Sequence, residues 1–294
     1  MNTRISAYLE LTKPRLLIMV MASVSVASYV ACEGNIPQAL METFCYMMLG
    51  TVLVAASSSV LNHYLERKTD ALMPRTANRP LPSKTLQEWE VLVFGAITII
   101  VGFIVLYMKT NPLTAYLGLA TWVSYVWIYT PLKYLTSWNT AVGAVSGALP
   151  LLMGWCGMGQ PFDPMALSVF GLMFFWQFPH FMAIAWLYKT QYTNAGMKML
   201  PVVEKDGLLT GMQAVVCAVA VIIVSLLPVW RYGVGASWFY LTVCLLFGFL
   251  QLKYALDFAQ NRNDVTARRL LRSSLIYLPF WMIGLLTINY TPIT

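Results

Sequence analysis

The sequence predicts an all-α fold, a polytopic membrane bundle of nine transmembrane helices in which residues 1–294 form a single integral-membrane domain. Three observations carry this. Apolar residues make up 59% of the chain and charged residues only 11%, against roughly 25% charged in a soluble domain, and the mean hydropathy is +0.65. Nine apolar runs approach the length of a bilayer span, about 20 residues. Seventeen of the 19 lysines and arginines fall in alternate breaks between those runs. No soluble core of this size could hide so much apolar surface. A soluble enzyme, a nucleic-acid binder and a single-anchor receptor are thereby excluded. The lipid bilayer is the expected surrounding, and the net charge of +7 reads as topology, not as affinity for nucleic acid.

The runs lie at 16–32, 39–61, 91–107, 113–129, 140–157, 165–187, 211–229, 238–254 and 274–289. Arg4, Lys13 and Arg15 precede the first run. It has no clear small-residue cleavage site, so it reads as a retained span and not a signal peptide. Arg67, Lys68, Arg75, Arg79 and Lys84 separate the second run from the third, and Lys133 follows the fourth. Lys189, Lys198 and Lys205 follow the sixth, and Lys253, Arg262, Arg268, Arg269 and Arg272 close the eighth. Only Lys109 and Arg231 fall on the other side. The positive-inside rule then places the N-terminus in the cytoplasm and the C-terminus outside. Two cytoplasmic loops, 66–90 and 188–210, are long and polar, and loops of that length are usually functional. The chemistry is therefore expected on the cytoplasmic face. Cys32, Cys45, Cys156, Cys217 and Cys244 form no CxxC and lie in or beside apolar stretches. They read as small buried hydrophobes, with no disulfide framework and no zinc site.

The densest polar cluster starts inside the end of the second run. Asn62, Glu66 and Asp70 are spaced i, i+4, i+8, so on a continuing helix they share one stripe about 12 Å long. One amide and two carboxylates at a membrane interface are costly. As hard oxygen donors on one face they suit Mg²⁺, which takes one or two carboxylates and leaves its other positions to water and phosphate. Arg75 and Arg79 follow closely, and guanidinium forks bind phosphate. Together these residues describe a diphosphate site. The competing reading is a solvated helix end, with Glu66 paired to Arg67 or Lys68 and the arginines acting only as positive-inside anchors.

The ordered pattern Asn62-x-x-x-Glu66-x-x-Thr69-Asp70-x-x-Met73-x-Arg75-Thr76-x-x-Arg79 resembles the first acidic motif of the UbiA-type intramembrane prenyltransferases. The resemblance implies the UbiA-type fold, a nine-helix bundle opening to the cytoplasm, and it covers essentially the whole chain. Further segments are similar to the branch of that family that farnesylates protoheme IX. They are Leu11-Thr12-Lys13-Pro14-Arg15, Tyr129-Thr130-Pro131-Leu132-Lys133, Gly147-Ala148-Leu149-Pro150 with Gly154-Trp155, Trp176-Gln177-Phe178-Pro179-His180-Phe181 and Ala195-Gly196-x-x-Met199-Leu200-Pro201. This implies farnesyl diphosphate and protoheme IX as substrates, Mg²⁺ as cofactor and heme O as product, handed on to a heme A synthase or a terminal oxidase. It also implies the cell inner (plasma) membrane as location. Quinone-type members carry a second Asp-x-x-x-Asp after the sixth span. This chain has Gln191-Tyr192-Thr193-Asn194 there, with Glu204 and Asp206 the only carboxylates of that loop. No second acidic pair is carried over, and Lys198, with Lys189 or Lys205, is expected to supply positive charge instead.

The resemblance thus gives Asn62, Glu66 and Asp70 as metal and catalytic residues, with Arg75 and Arg79. Arg75, Arg79, Lys133 and Lys198 are expected on the diphosphate. Aromatic residues, 14% of the chain, can shield an allylic cation, although membrane packing accounts for most of them, Trp122 and Trp127 included. His63 stands about 100° from the Asn62 stripe and reads as a local polar contact. His180, with Trp176 and Gln177, is expected at the heme acceptor, because an ionisable ring inside a span is functional by default. A local hydrogen bond behind Pro179 is the competing account. Two other acceptor or function classes stay open: a quinone precursor or other aromatic ring, and a membrane transporter. A transporter predicts inverted repeats and midplane charge, and the charges here cluster on one face.

Overall fold

The computed structural model describes residues 3–204 and 206–290. In lipid every backbone polar group must be satisfied within its own segment, and the apolar runs accordingly become helices. In chain order they are α1 (Thr3–Leu11), α2 (Pro14–Ala31), α3 (Met41–Asp70), α4 (Glu88–Lys109), α5 (Pro112–Val123), α6 (Thr130–Leu135) and α7 (Asn139–Gly157). There follow α8 (Pro164–Leu187), α9 (Lys189–Asn194), α10 (Leu200–Val203), α11 (Leu208–Ser225), α12 (Leu227–Tyr232), α13 (Trp238–Gln260) and α14 (Asp264–Leu286). Short 3₁₀ turns cover Gln38–Leu40 and Gly235–Ser237.

Eight helical segments among the described residues are long and apolar enough to cross a bilayer, one fewer than expected. The difference falls on the fourth expected span. The backbone is helical from Pro112 to Leu135, but it runs through α5, a π-helical turn at Ser124–Tyr129 and α6, so neither α-helical piece is span-length alone. The hydroxyl of Thr130 donates to the carbonyl of Tyr125 at 2.8 Å and braces this turn. The protein is a polytopic membrane protein with an all-helical bundle.

Close helix contacts set where the polar stripe of α3 points. α3 runs along α4, while α7 is held between α2, α5 and α8. A Cβ on Gly102 of α4 would stand 2.9 Å from Leu53 Cβ and 3.2 Å from the Gly50 carbonyl. Glycine there lets α3 and α4 touch, in the manner of small residues at membrane helix interfaces. The other side of α3 is thereby turned inward, where Asn62, Glu66 and Asp70 are all buried. The largest apolar cluster fills the space between α2, α7, α8 and α14, around Leu151, Met153, Leu172 and Trp281. Cys156, Cys217 and Cys244 are buried as expected, but Cys32 is only half-buried and Cys45 is exposed on the outside of α3. Apolar surface facing lipid needs no burial, which removes the reason to expect it at Cys45.

Candidate functional site

α3 carries the site because it continues unbroken from the apolar run into the polar cluster, ending only at Asp70. Its last two turns put Asn62, Glu66 and Asp70 along the wall of a cavity of about 230 Å³, which Arg75, Arg79 and Lys133 also line. The structure therefore brings six of the residues singled out from sequence to one place. Each oxygen group on the stripe faces a cation. Lys133 Nζ donates to Glu66 Oε1 at 2.6 Å. Arg79 Nη1 donates to both oxygens of Asp70, at 2.8 and 2.7 Å. Both contacts use one nitrogen, so the guanidinium does not engage Asp70 as a two-nitrogen fork. Arg75 donates to the Tyr192 hydroxyl at 2.9 Å, and its guanidinium lies 4.6 Å from the ring centre of Tyr188 and 5.0 Å from that of Tyr192.

Lys13 and Tyr192 also line this cavity, and the sequence does not single them out as site residues. Lys13 Nζ donates to Asn62 Oδ1 at 2.9 Å, and Asn62 Nδ2 donates in turn to Thr130 Oγ1 at 3.1 Å. Lys13 sits between α1 and α2 with φ +52°, a left-handed conformation unusual for a residue with a side chain. Pro14 follows it at the start of α2, and a proline disfavours the α region for the residue before it. The chain turns there, and the ammonium enters the cavity. In the sequence only the segment Leu11-Thr12-Lys13-Pro14-Arg15 signals this, and as a basic residue before a span Lys13 counts toward topology. Burial pulls the Lys13 ammonium down to about 8, against the Glu66 carboxylate that favours its charge. Burial works the same way on Lys133, but there Glu66, Tyr129 and Tyr125 outweigh it and hold the ammonium well above its ordinary value.

A second cavity of about 260 Å³ adjoins the first and is mostly apolar. Tyr125, Tyr129, Phe181 and Met199 line both. The π-helical turn supplies the two tyrosines, and the Lys133 ammonium lies 4.4 Å from the ring centre of Tyr129. On α8, Gln177 and Phe181 are one turn apart and face this second cavity. Gln177 Nε2 is held by the carbonyls of Ala144 and Met173, at 2.9 and 3.0 Å.

Three expected residues lie elsewhere. Trp176 and His180 occupy the neighbouring stripe of α8, about 100° away from Gln177 and Phe181, and line neither cavity. Trp176 Nε1 donates to the Ser274 carbonyl at 2.9 Å, and His180 Nδ1 shares a 3.0 Å hydrogen bond with Ser274 Oγ. Their rings stack 5.1 Å apart. The local hydrogen bond is thus present at His180, as a tie to α14. Lys198 is exposed; its backbone N–H donates to the Lys133 carbonyl at 2.6 Å, so it braces Lys133 without adding a side chain to the cavity. Lys205 falls outside the described residues.

The donor set fits Mg²⁺ shared with a phosphate ligand. It offers two carboxylates and an amide, all hard oxygen donors, one helical turn apart. Among the described residues no group of three His, Cys, Asp or Glu side chains gathers to hold a metal alone. Mg²⁺ usually keeps such a partial protein shell and completes it with water and phosphate oxygens. Four cations against two carboxylates leave the lining net positive and suited to a diphosphate.

A stripe of metal-type oxygens, a cationic lining and an adjoining apolar cavity inside a helical membrane bundle describe a prenyl-diphosphate transferase. The chain belongs to the UbiA prenyltransferase family, which matches residues 17–283. It is 38% identical over 277 residues to the protoheme IX farnesyltransferase of Rhodopirellula baltica, covering 92% of this chain and 96% of that one. It is likewise 38% identical over 282 residues to the enzyme of that name from Solibacter usitatus, covering 92% and 94%. Among solved structures the fold is similar to a digeranylgeranylglyceryl phosphate synthase (TM-score 0.79, 16% identity, 98% and 99% of the two chains). It is also similar to a UbiA homologue from Archaeoglobus fulgidus bound to GPP and Mg²⁺ (TM-score 0.63, 13% identity, 95% and 99%).

Proposed function

We propose that this prenyltransferase moves the farnesyl group of farnesyl diphosphate to a vinyl group of protoheme IX, with addition of water, giving heme O and diphosphate. One observation carries the chemistry: the cationic, oxygen-lined cavity shares Tyr125, Tyr129, Phe181 and Met199 as walls with an apolar one. A diphosphate fits the first and an isoprenoid the second. The acceptor is taken from relatives called protoheme IX farnesyltransferase that match along nine-tenths of the chain.

Glu66, Asp70 and Asn62 would hold Mg²⁺ against the diphosphate, and the metal would stabilise charge on the leaving oxygens. Arg75, Arg79, Lys133 and Lys13 act on the same charge from fixed positions, which is worth most where water is excluded. As the allylic C–O bond breaks, its electron pair stays with the diphosphate. The faces of Tyr125, Tyr129 and Phe181 then shield the farnesyl cation. The vinyl π electrons form the new C–C bond, a cation is left beside the porphyrin, and water captures it. Gln177, on the apolar cavity, is the α8 residue placed to meet the acceptor. Trp176 and His180 serve it through the α8–α14 packing, and Lys198 serves the diphosphate through Lys133. The protein sits in the cell inner membrane with the cationic cavity toward the cytoplasm, and its product passes to a heme A synthase or a terminal oxidase.

Heme extracted from cells with and without this chain tests the reading by mass. Heme heavier by one farnesyl group and one hydroxyl should appear only with the chain. Unmodified heme together with a prenylated quinone precursor would replace the acceptor.

A further inference from the structure

α3 carries a second polar stripe that the diphosphate site does not use. Thr51, Ser59 and His63 are buried at 2%, 1% and 2% exposure. Thr51 Oγ1, Ser59 Oγ and both ring nitrogens of His63 have no hydrogen-bond partner among the described residues. The neighbouring serines differ. Ser57 donates to the Gly95 carbonyl at 2.7 Å, and Ser58 donates to the Val54 carbonyl of its own helix at 2.9 Å. Hydroxyls here find partners where the backbone offers them, and Thr51 and Ser59, with the His63 ring, are exceptions. They stand one turn apart, with side chains about 5–6 Å from each other at Cβ. Thr51 lies two turns before Ser59 on the same slowly winding stripe, and Ala55, between them, lines the apolar cavity together with Ser59. Asn62, beside His63, lines the cationic cavity. Ser59 is thus the member of the stripe that reaches a cavity, the apolar one, and His63 stands one turn beyond it toward the end of α3.

Buried polar groups in proteins are bonded to protein or to ordered water, and exceptions call for a reason. In a membrane span they are functional by default. An isoprenoid offers no hydrogen bonds, and an anion is drawn to the cations of the adjoining cavity. A neutral imidazole donates from one nitrogen and accepts at the other, so His63 and Ser59 suit a small neutral molecule that does both. We infer that Ser59 and His63 hold a file of water molecules along α3, and that its inner member is the water consumed in the transfer. The second half of this rests on the farnesyl-to-heme reading above.

In that step the water lone pair forms the new C–O bond to the cation beside the porphyrin. Its proton passes to the next water of the file and out at the cytoplasmic mouth; nothing is oxidised or reduced. Ser59 and His63 are positioning residues, acting through the water they orient. With the water displaced, the cation loses a proton from carbon instead, and the product is an alkene lighter by one water.

Two measurements test this. X-ray radiolytic footprinting of the wild-type protein labels side chains that touch water, including buried ones, and His63 should be labelled in spite of its burial. His63→Leu and Ser59→Ala should each raise the ratio of alkene to hydroxylated farnesyl heme about tenfold, the weight of one typical hydrogen bond. The ratio is the readout because a merely structural loss lowers both products together. An unlabelled His63, or an unchanged ratio in both variants, overturns the inference. Labelled His63 in a protein that makes no farnesylated heme would instead overturn the acceptor, leaving the hydrated stripe supported.

Discussion

Glu66 and Lys133 face each other at 2.6 Å with side chains 6% and 13% exposed. Removing one partner of such a pair strands a buried charge, at a cost of about 3–5 kcal/mol. Lys133→Met should therefore lower the thermal midpoint strongly, and adding Glu66→Gln should restore much of it. Activity should stay lost in the double variant, because in the proposed reaction both groups act on the diphosphate. Recovery of stability and turnover together would reduce the pair to a structural contact. Lys13 behaves differently. With its ammonium pulled down to about 8 by burial, it is largely charged at pH 7 and largely neutral at pH 9. An arriving diphosphate favours the charged form, so binding near pH 8 should take up protons, and affinity should fall as pH rises through that value. Titration calorimetry of an unreactive farnesyl diphosphate analogue in buffers of different ionisation enthalpy reads the uptake directly. Lys13→Met should abolish it. Asn62, Glu66 and Asp70 were legible in the sequence because helical spacing alone places them on one stripe. Lys13 and Tyr192 were not, because they reach the cavity from distant segments through tertiary packing. His180 stands out in the sequence as a titratable ring inside a span, but the Ser274 hydroxyl it bonds lies far along the chain and leaves no mark beside it. Its one-turn neighbour Trp176 and its bond to Ser274 decide which way that stripe of α8 faces.

At the scale of elements, the long apolar runs were readable from length and hydropathy. The π-helical turn at Ser124–Tyr129 was not, since one extra residue per turn leaves no mark in composition. That turn brings Tyr125, Tyr129 and Lys133 to the site together, and its bracing by Thr130 links it to Asn62. Contact between α2 and α7 depends on Gly154, where a Cβ would meet the Val24 carbonyl at 2.6 Å. The Ser28 hydroxyl donates to the Gly154 carbonyl across the same contact, at 3.1 Å. Gly154→Ala should force the helices apart at a cost of about 1–3 kcal/mol, the usual range for overpacking. The loss should appear as a lower thermal midpoint in detergent. A midpoint equal to wild type would show that α2 and α7 can slide without penalty.

For the molecule as a whole, the charge asymmetry predicts orientation. A reporter fused to the C-terminus should be active only outside the cytoplasm; cytoplasmic activity would remove one span from the count or invert the bundle. With that orientation the cationic cavity would face the cytoplasm, where a diphosphate could reach it. The most direct test is an assay of purified protein with farnesyl diphosphate, protoheme IX and Mg²⁺, followed by mass analysis of the heme. Wild type should give farnesylated, hydrated heme only with Mg²⁺. Asp70→Asn should insert normally and turn over about 10²-fold more slowly, the size of loss seen when one main stabiliser of developing charge is removed. Equal product formation in the presence of a chelator, or full turnover by Asp70→Asn, would contradict the account.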